Sequence, residues 1–585
     1  MKTRILIIAL ALLAMQAYAQ HDEQVTVEGK YRPKVNKVNK LTLQPETPQP
    51  SYVFPSTEVS PKDANRRFVL ELEKIAPTGF AAKDDKRVAS TKNFLMAGLG
   101  TRLSPVFFYK HNSMLTKTLG LGVGIKHNSS WLNIKDYAPS SYMNNLFDIN
   151  LTTSKFNGLQ LGGGVYYKND MYHYYGVNLT ETPLTDAQIK QYCPKQTYNT
   201  IGGRFGLAST ATRTGELSHS GSVDYHYTFD NTYAREHSVD VEYGLGYAQN
   251  WWGDKSHPQK VGVDLEFQYE YFDASHLDQT TMPVANRTDL YLFKVNPFFE
   301  MSDEFYKLHL GVRLDGVNRI KEEDKFLAVR PDIGGSLYVL NKKLEFYAGL
   351  NGGRKLLTYS EIINENPFVG SDFSMLAQNV RLGFEGGVRT NIMEIVDLHL
   401  GVRYGIVENM PYYMLMPEMM DDGSTIANKY GIGYYEDVQE VHVLADVRVK
   451  LRNSLTADLG FAYNHYDLNL MAGDFHAWYR PATEGKLKLT YDLNDKLSFH
   501  SSFLYQGGRF ALVPEGEFKP QIPGWYFEEV KMKDVLDLSL GADYKVNDQI
   551  TAFALVDNVL CQKYQLYYNY PVTGIQLFAG VKLKF

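Results

Sequence analysis

The chain has 585 residues with 42 Tyr, 31 Phe and 47 Gly, two Cys and a formal net charge of −6. That mild charge excludes the basic composition of a nucleic-acid or membrane-surface binder. The two lone cysteines, Cys193 and Cys561, match neither a disulfide framework nor a metal-ligand spacing.

The first residues read as an export signal. Lys2 and Arg4 form a charged start, Ile5 to Met15 an apolar run, and Ala17-Tyr18-Ala19 a small-residue cleavage site. Residues 1–19 are therefore expected to be removed, leaving Gln20 first. No Cys follows the cleavage site, so no lipid anchor is expected. No later stretch reaches the roughly 18 apolar residues of a helical membrane span. Residues 20–90 come next, broken by Pro33, Pro45, Pro48, Pro50, Pro55 and Pro61, with Lys30, Arg32, Lys34, Lys37 and Lys40 making their start basic. Such chain is extended rather than folded. It is expected to lie in the periplasm or to fill the barrel lumen.

From residue 91 onward the chain alternates. Tyr306, Leu308, Leu310, Val312 and Leu314 enclose Lys307, His309, Gly311, Arg313 and Asp315. Val396, Leu398, Leu400, Val402 and Tyr404 enclose Asp397, His399, Gly401, Arg403 and Gly405. Leu455 to Asn464 and Leu536 to Val546 repeat the pattern. Side chains of a strand point to opposite faces with period two, so one face is apolar and the other charged or glycine. Strands of this kind, persisting to the C-terminus, predict an all-β fold. It is an antiparallel transmembrane barrel of about 22 strands over residues 91–585, with about 16–20 as the alternative. A closed barrel is the β solution that satisfies every backbone group in lipid.

Short polar breaks at Ser302-Asp303-Glu304, Asn341-Lys342-Lys343, Arg452-Asn453-Ser454, Asn494-Asp495-Lys496 and Asn547-Asp548-Gln549 predict periplasmic hairpin turns. Longer loops near 170–198, 357–377, 410–435 and 509–532 are expected on the opposite, outer side. By parity Lys307, Arg313, Asp397, Arg403, Asp446, Arg448 and Asp458 face the lumen. In the last strand Phe578 breaks the apolar-outward pattern.

The final residues resemble the end of a TonB-dependent receptor barrel: Asn558-Val559-Leu560, Tyr564, Tyr570-Pro571, Gly574 and the terminal Phe585. The terminal aromatic strand also resembles the signal read by the outer-membrane assembly machinery. The export signal, the Gln after it and the Tyr-rich barrel resemble proteins of Bacteroidetes. The resemblance implies an outer-membrane location, a barrel of this strand number and TonB as a partner. Such receptors carry a plug domain of well over a hundred residues. Here only residues 20–90 precede the barrel, with Val25 to Tyr31 resembling the opening of a plug. The chain is thus expected to lack a full plug, and loops, a partner or residues 20–90 must fill the lumen.

Enzyme motifs such as HExxH, a Walker loop or a nucleophile elbow are absent. His127 and Ser129 share the lipid-facing side of one strand, in the orientation of a His-x-Ser pair of outer-membrane phospholipases and lipid A deacylases. With no following Gly and no orienting acid, they read as a girdle histidine beside a serine. Met410, Met414, Met416, Met419 and Met420, with Tyr412 and Tyr413, read as an adaptable contact surface rather than a Cu(I) site. Asp421-Asp422-Gly423 reads as a turn. The expected function is that of a non-enzymatic, cofactor-free outer-membrane barrel for solute transport or partner-gated passage. The alternative is an assembly subunit that scaffolds periplasmic or surface partners, and a lipid hydrolase is the remote one. Lipid, the assembly machinery and a periplasmic or surface protein are the expected partners, and nucleic acid is not.

Overall fold

A computed structural model describes residues 92–585, apart from 157, 210–213, 254–256, 275–286, 319–325, 372, 393–394, 452–453, 469–474 and 516–526. The export signal and the segment 20–90 lie outside the described residues. Along the rest, the alternating stretches form strands of 8 residues at Asn93–Gly100 up to 16 at Arg287–Ser302. They join in one 22-stranded sheet, each strand antiparallel to its neighbours. The first strand closes on the last: Phe94 pairs with Lys584 and Gly100 with Phe578, and Asn93 N donates to Phe585 O at 2.8 Å. The expected barrel and its strand number are both present. Five strands begin before residue 160, at Asn93, Ser104, Leu119, Tyr142 and Leu159.

Two kinds of connection alternate. At one end the turns are tight and chemically specified. Asn494 Oδ1 accepts from Lys496 N and Leu497 N, both at 2.9 Å. Asn547 Oδ1 accepts from Gln549 N at 2.9 Å and Ile550 N at 2.8 Å. An Asn side chain that mimics a backbone turn in this way is why the residue recurs there. At the other end the connections are long and carry structure of their own. The stretch read as a loop at 410–435 is a hairpin of Met410–Met419 and Thr425–Tyr435, turning at Gly423 with φ +84°. A second hairpin, Phe510–Pro514 with Phe527–Lys531, stands between two wall strands. Two short helices, Asp186–Tyr192 and Tyr359–Glu365, lie in two other connections.

The wall separates its faces by parity. Leu400 and Val402 are 44% and 45% exposed on the outside. Asp397 and His399, of the opposite parity on the same strand, sit on the inner face opposite Arg448 and Asp446 of the next strand. Charges on the inner face find partners in the wall: Asp315, fully buried, is held by Arg330 and Arg354. Phe578 turns inward for a packing reason. It joins Met96, Val106 and Phe553 in an apolar cluster at the seam where the barrel closes. Its ring lies on Gly100, where a Cβ would stand 2.4 Å from Phe578 Cε1.

Candidate functional site

The long connections fold over the barrel mouth instead of splaying outward. Helix Tyr359–Glu365 starts from a capping box. Glu361 N donates to Thr358 Oγ1 at 3.0 Å, and Thr358 N donates back to the Glu361 carboxylate at 3.3 Å. Seven residues are too few to hold a helix without tertiary packing, and this one buries Tyr359, Ile362 and Ile363. It grows from strand Leu344–Leu356 yet docks on strands from much earlier in the chain. Tyr359 OH donates to Asp230 Oδ2 at 2.9 Å, Ser360 N to Glu236 Oε2 at 3.1 Å, and Lys168 Nζ to Asn364 Oδ1. Asp230 also accepts from Ser371 Oγ at 2.7 Å, Gln196 Nε2 at 2.9 Å and Thr232 Oγ1 at 2.8 Å. One buried carboxylate thus accepts from four side chains and ties the connection 357–376 to strand Lys195–Ser209 and to its own turn.

The connection 558–575 meets this helix loop. Phe368 and Tyr570 stack with ring centroids 3.7 Å apart. Tyr567 OH donates to Glu365 O at 2.8 Å, Tyr175 OH to Pro571 O at 3.0 Å and Tyr430 OH to Tyr568 O at 2.7 Å. Tyr570 OH donates to Asn428 O. Tyr479 OH donates to Tyr430 OH at 3.3 Å. Trp478 lies against Tyr412 and Tyr435, and His476 stacks on Phe510 at 3.7 Å. All these connections enter a single buried core with the upper ends of the surrounding strands, from Tyr172 and Tyr198 to Val407 and Val438. Tyrosine suits the place because its ring packs while its hydroxyl reaches a carbonyl.

Burial raises the pKa of Tyr359, Tyr430, Tyr567 and Tyr570 well above the ordinary value. The hydroxyls therefore stay protonated and keep donating. Two arginines stand among these rings, Arg509 buried and Arg480 half-buried. Arg509 is 2% exposed, and its Nη2 donates to Gln565 O at 2.9 Å and to Leu566 O; burial lowers its pKa. For Arg480 burial acts in the same direction, but Tyr466 and Glu365 outweigh it and raise the pKa. The layer joins the long connections of this end of the barrel in one packed core.

Of the C-terminal motif, Tyr570 is part of this layer, and Asn558 and Tyr564 shape the connection that carries it. Asn558, at φ +49°, donates through Nδ2 to Gln562 O at 2.9 Å and Thr573 O at 3.0 Å, shaping the connection. Tyr564 OH donates to Asp537 Oδ2 at 2.7 Å below it. Gly574 stands beside Cys561 Sγ. Phe585 lies at the opposite, short-turn end, where its N donates to Asn93 O at 3.0 Å.

The charged residues read from parity make local contacts along the wall. Arg313 pairs with Asp332 at 3.3 Å and donates to Gly352 O at 2.7 Å. Asp446 lies 3.6 Å from His399, Arg448 pairs with Asp458, and Asp397 accepts from Asn391. Arg403 faces Glu385 in register, and Lys307 faces Ser336. They form local pairs of mixed sign, spread around the wall rather than converging.

The methionines do not converge either. Met410 is in the main core and Met420 in a smaller one with Tyr192, Cys193 and Ile426, while Met419 is 55% exposed. Asp421-Asp422-Gly423 is the tip of the hairpin. Among the described residues no three His, Cys, Asp or Glu side chains are placed to hold a metal ion. His127 Nε2 is 3.0 Å from Ser129 Oγ, and its Nδ1 is 2.7 Å from Asn145 Oδ1. An orienting group thus exists, as an amide on the neighbouring strand. Ser129 itself is fully buried. Sequence reading missed Asn145 because its position opposite His127 depends on register.

The architecture is that of a closed 22-stranded barrel with a structured cap. Solved structures share the fold. The siderophore receptor PirA from Acinetobacter baumannii superposes with a TM-score of 0.62 at 12% identity, covering 86% of this chain and 81% of that one. The ferric-catecholate import receptor Fiu from E. coli K12 gives 0.59 at 10% identity, over 85% and 82%. A mutant of the ferric enterobactin receptor PfeA from Pseudomonas aeruginosa gives 0.61 at 12%, over 84% and 80%. At these identities the likeness shows the fold. No protein-family model matches the sequence, and no curated protein matches it.

Proposed function

We propose that this chain is an outer-membrane barrel of the TonB-dependent receptor type that passes a solute through a pore closed by its own loops. The observation that carries the reading is the single aromatic core joining connections from around the ring across one mouth. The apolar outer face with Leu400, Val402, Leu459 and Phe461 exposed suits a bilayer, and a closed barrel leaves no strand edge in lipid. Long connections mark the outer side and tight turns the periplasmic side. A barrel of this strand number is wide enough to leak if unfilled, so the cap takes the part a plug plays elsewhere. Passage then requires the cap to part. The work would come from ligand contacts on the outer side or from TonB or another periplasmic partner acting through residues 20–90.

Planar-bilayer conductance tests this. The wild-type barrel should be nearly silent, and the Phe368→Ala/Tyr570→Ala double variant should conduct while remaining heat-modifiable. A folded double variant that stays silent would favour the alternative, a scaffolding subunit that passes nothing. A wild-type barrel that conducts as an open pore would remove the cap as its closure.

A further inference from the structure

We infer that Ser113, His111 and Asn93 form an acyl-ester hydrolase site on the outer, lipid-facing wall, at the short-turn end of the barrel. The inference goes beyond transport and is independent of it.

Register places the three residues together. Asn93 in the first strand lies directly opposite His111 in strand Ser104–Met114, and Ser113 follows two residues on, on the same face. That face is the outer one. Leu99, on it, is 56% exposed, whereas Met96, of opposite parity, is fully buried inside. Across the next strands Ser113 lines up with Leu121 and Leu151, and Leu151 is 45% exposed.

The hydrogen bonds run in one direction. Asn93 Nδ2 donates to Phe585 O at 3.1 Å. A carbonyl oxygen only accepts, so the amide is oriented with Oδ1 toward the imidazole. Asn93 Oδ1 lies 2.7 Å from His111 Nδ1 and also accepts from Tyr109 OH at 2.9 Å. The proton of a neutral imidazole must then sit on Nδ1, which leaves Nε2 free to accept from Ser113 Oγ at 2.8 Å. This is nucleophile, base and orienting group in hydrogen-bond reach, the pattern that defines such sites whatever the fold.

Access distinguishes this set from its relative at the other end of the wall. Ser129, His127 and Asn145 make the same bonds, but Ser129 is fully buried. Ser113 is only partly covered; on the same outer face Leu151 is 45% exposed, and Leu115, just past the strand end, is 54% exposed. Those apolar side chains suit acyl chains, so the substrate class is a carboxylic ester of a bilayer lipid whose carbonyl lies at the interface.

In the first step Ser113 Oγ attacks the ester carbonyl carbon and its proton passes to His111 Nε2. The bond from that carbon to the alcohol oxygen breaks, and the imidazolium returns the proton to the leaving alcohol. Water then attacks the acyl-serine, giving one proton to Nε2, and the released Ser113 Oγ takes it back. The products are a fatty acid and an alcohol, with no redox partner. Asn93 is a positioning residue that holds the Nδ1–H tautomer through both steps.

The full-length barrel in phosphatidylethanolamine vesicles tests the inference by fatty-acid release and by labelling with a long-chain fluorophosphonate, mapped by mass spectrometry. The label should fall on Ser113. Release should drop by roughly 10²–10⁴-fold in Ser113→Ala and in His111→Ala, with heat-modifiability retained. Ser129→Ala should be unchanged. Asn93→Ala should lower kcat with little change in KM and shift the pH profile, and Asn93→Asp should restore part of the rate. A purely structural hydrogen-bond cluster would leave the folded wild-type barrel unlabelled at Ser113. That result, a label on Ser129 instead, or release undiminished in Ser113→Ala, would overturn the assignment.

Discussion

The ring of Tyr570 lies flat on that of Phe368, centroids 3.7 Å apart with 20° between the planes. Behind Tyr570 is Gly176, where a Cβ would stand 2.7 Å from the Tyr570 ring. Three connections that leave the barrel at different strand pairs therefore meet at one sandwich. Its middle layer fits only because one position has no side chain.

Gly176→Val should push Tyr570 off Phe368 at a cost of about 1–3 kcal/mol, the usual size of overpacking in a filled core. Hydrogen exchange at the amides of 366–371 and 564–570 should speed up, while the wall strands keep their protection. Unchanged exchange in both segments would show that the sandwich does not hold the cap.

Asp230 is the polar counterpart of that sandwich. Asp230→Ala leaves Tyr359, Ser371 and Gln196 with a lost acceptor in a buried place. The expected loss is about 1–3 kcal/mol for each donor left unpaired. The readout is exchange at Tyr359–Glu365, a seven-residue helix that depends on tertiary contacts. Protection equal to wild type would contradict the role assigned to Asp230.

The two faces of the wall should respond differently to one substitution. Leu400→Arg puts a charge on the outer face, where an arginine near the bilayer midplane costs about 2–4 kcal/mol. It should reduce the heat-modifiable fraction on refolding into vesicles. Asp397→Arg, on the inner face opposite Arg448, should assemble normally and change only local pairing. Equal damage from both would reverse the assignment of faces.

The two cysteines give a test of cap integrity. Cys193 is buried beside Asn428, and burial raises its thiol to about 11. The thiolate is the reactive form, so at pH 8 a maleimide should label exposed Cys561 and spare Cys193. Loosening the cap with Phe368→Ala/Tyr570→Ala should admit the reagent to Cys193. Rapid labelling of Cys193 in the intact barrel would show the cap open.

Residues 20–90 compete with the cap as the closure of the pore. If the loops suffice, deleting 25–75 should leave a heat-modifiable barrel with conductance as low as wild type, and with uptake lost if a periplasmic partner acts there. A jump in conductance on deletion would assign the closure to the N-terminal segment instead.

Alternation along Val396 to Tyr404 and its repeats was enough to read the strands, their number and the apolar outer face, because a lipid-facing wall imposes period two on every strand. Asn-rich breaks such as Asn494 and Asn547 marked the tight turns, since a short side chain that caps its own turn is a local signal. Phe578 appeared only as a break in pattern, and its reason lies in Gly100 of the first strand, which the closing of the barrel brings beneath it. The Asn93–His111–Ser113 set was not read from the sequence at all: a His-x-Ser pair is legible on one strand, but its amide partner is chosen by register and by closure against Phe585. The cap was least legible. Tyr570, Phe368 and Tyr430 are separated by long stretches of chain, and no local periodicity links them. The sequence by itself determined a lipid-facing barrel and its turns, since those follow from neighbours two to four residues apart. What crosses its mouth, and which polar groups meet on its wall, was decided only when the strands closed into a ring and brought distant residues within hydrogen-bond reach.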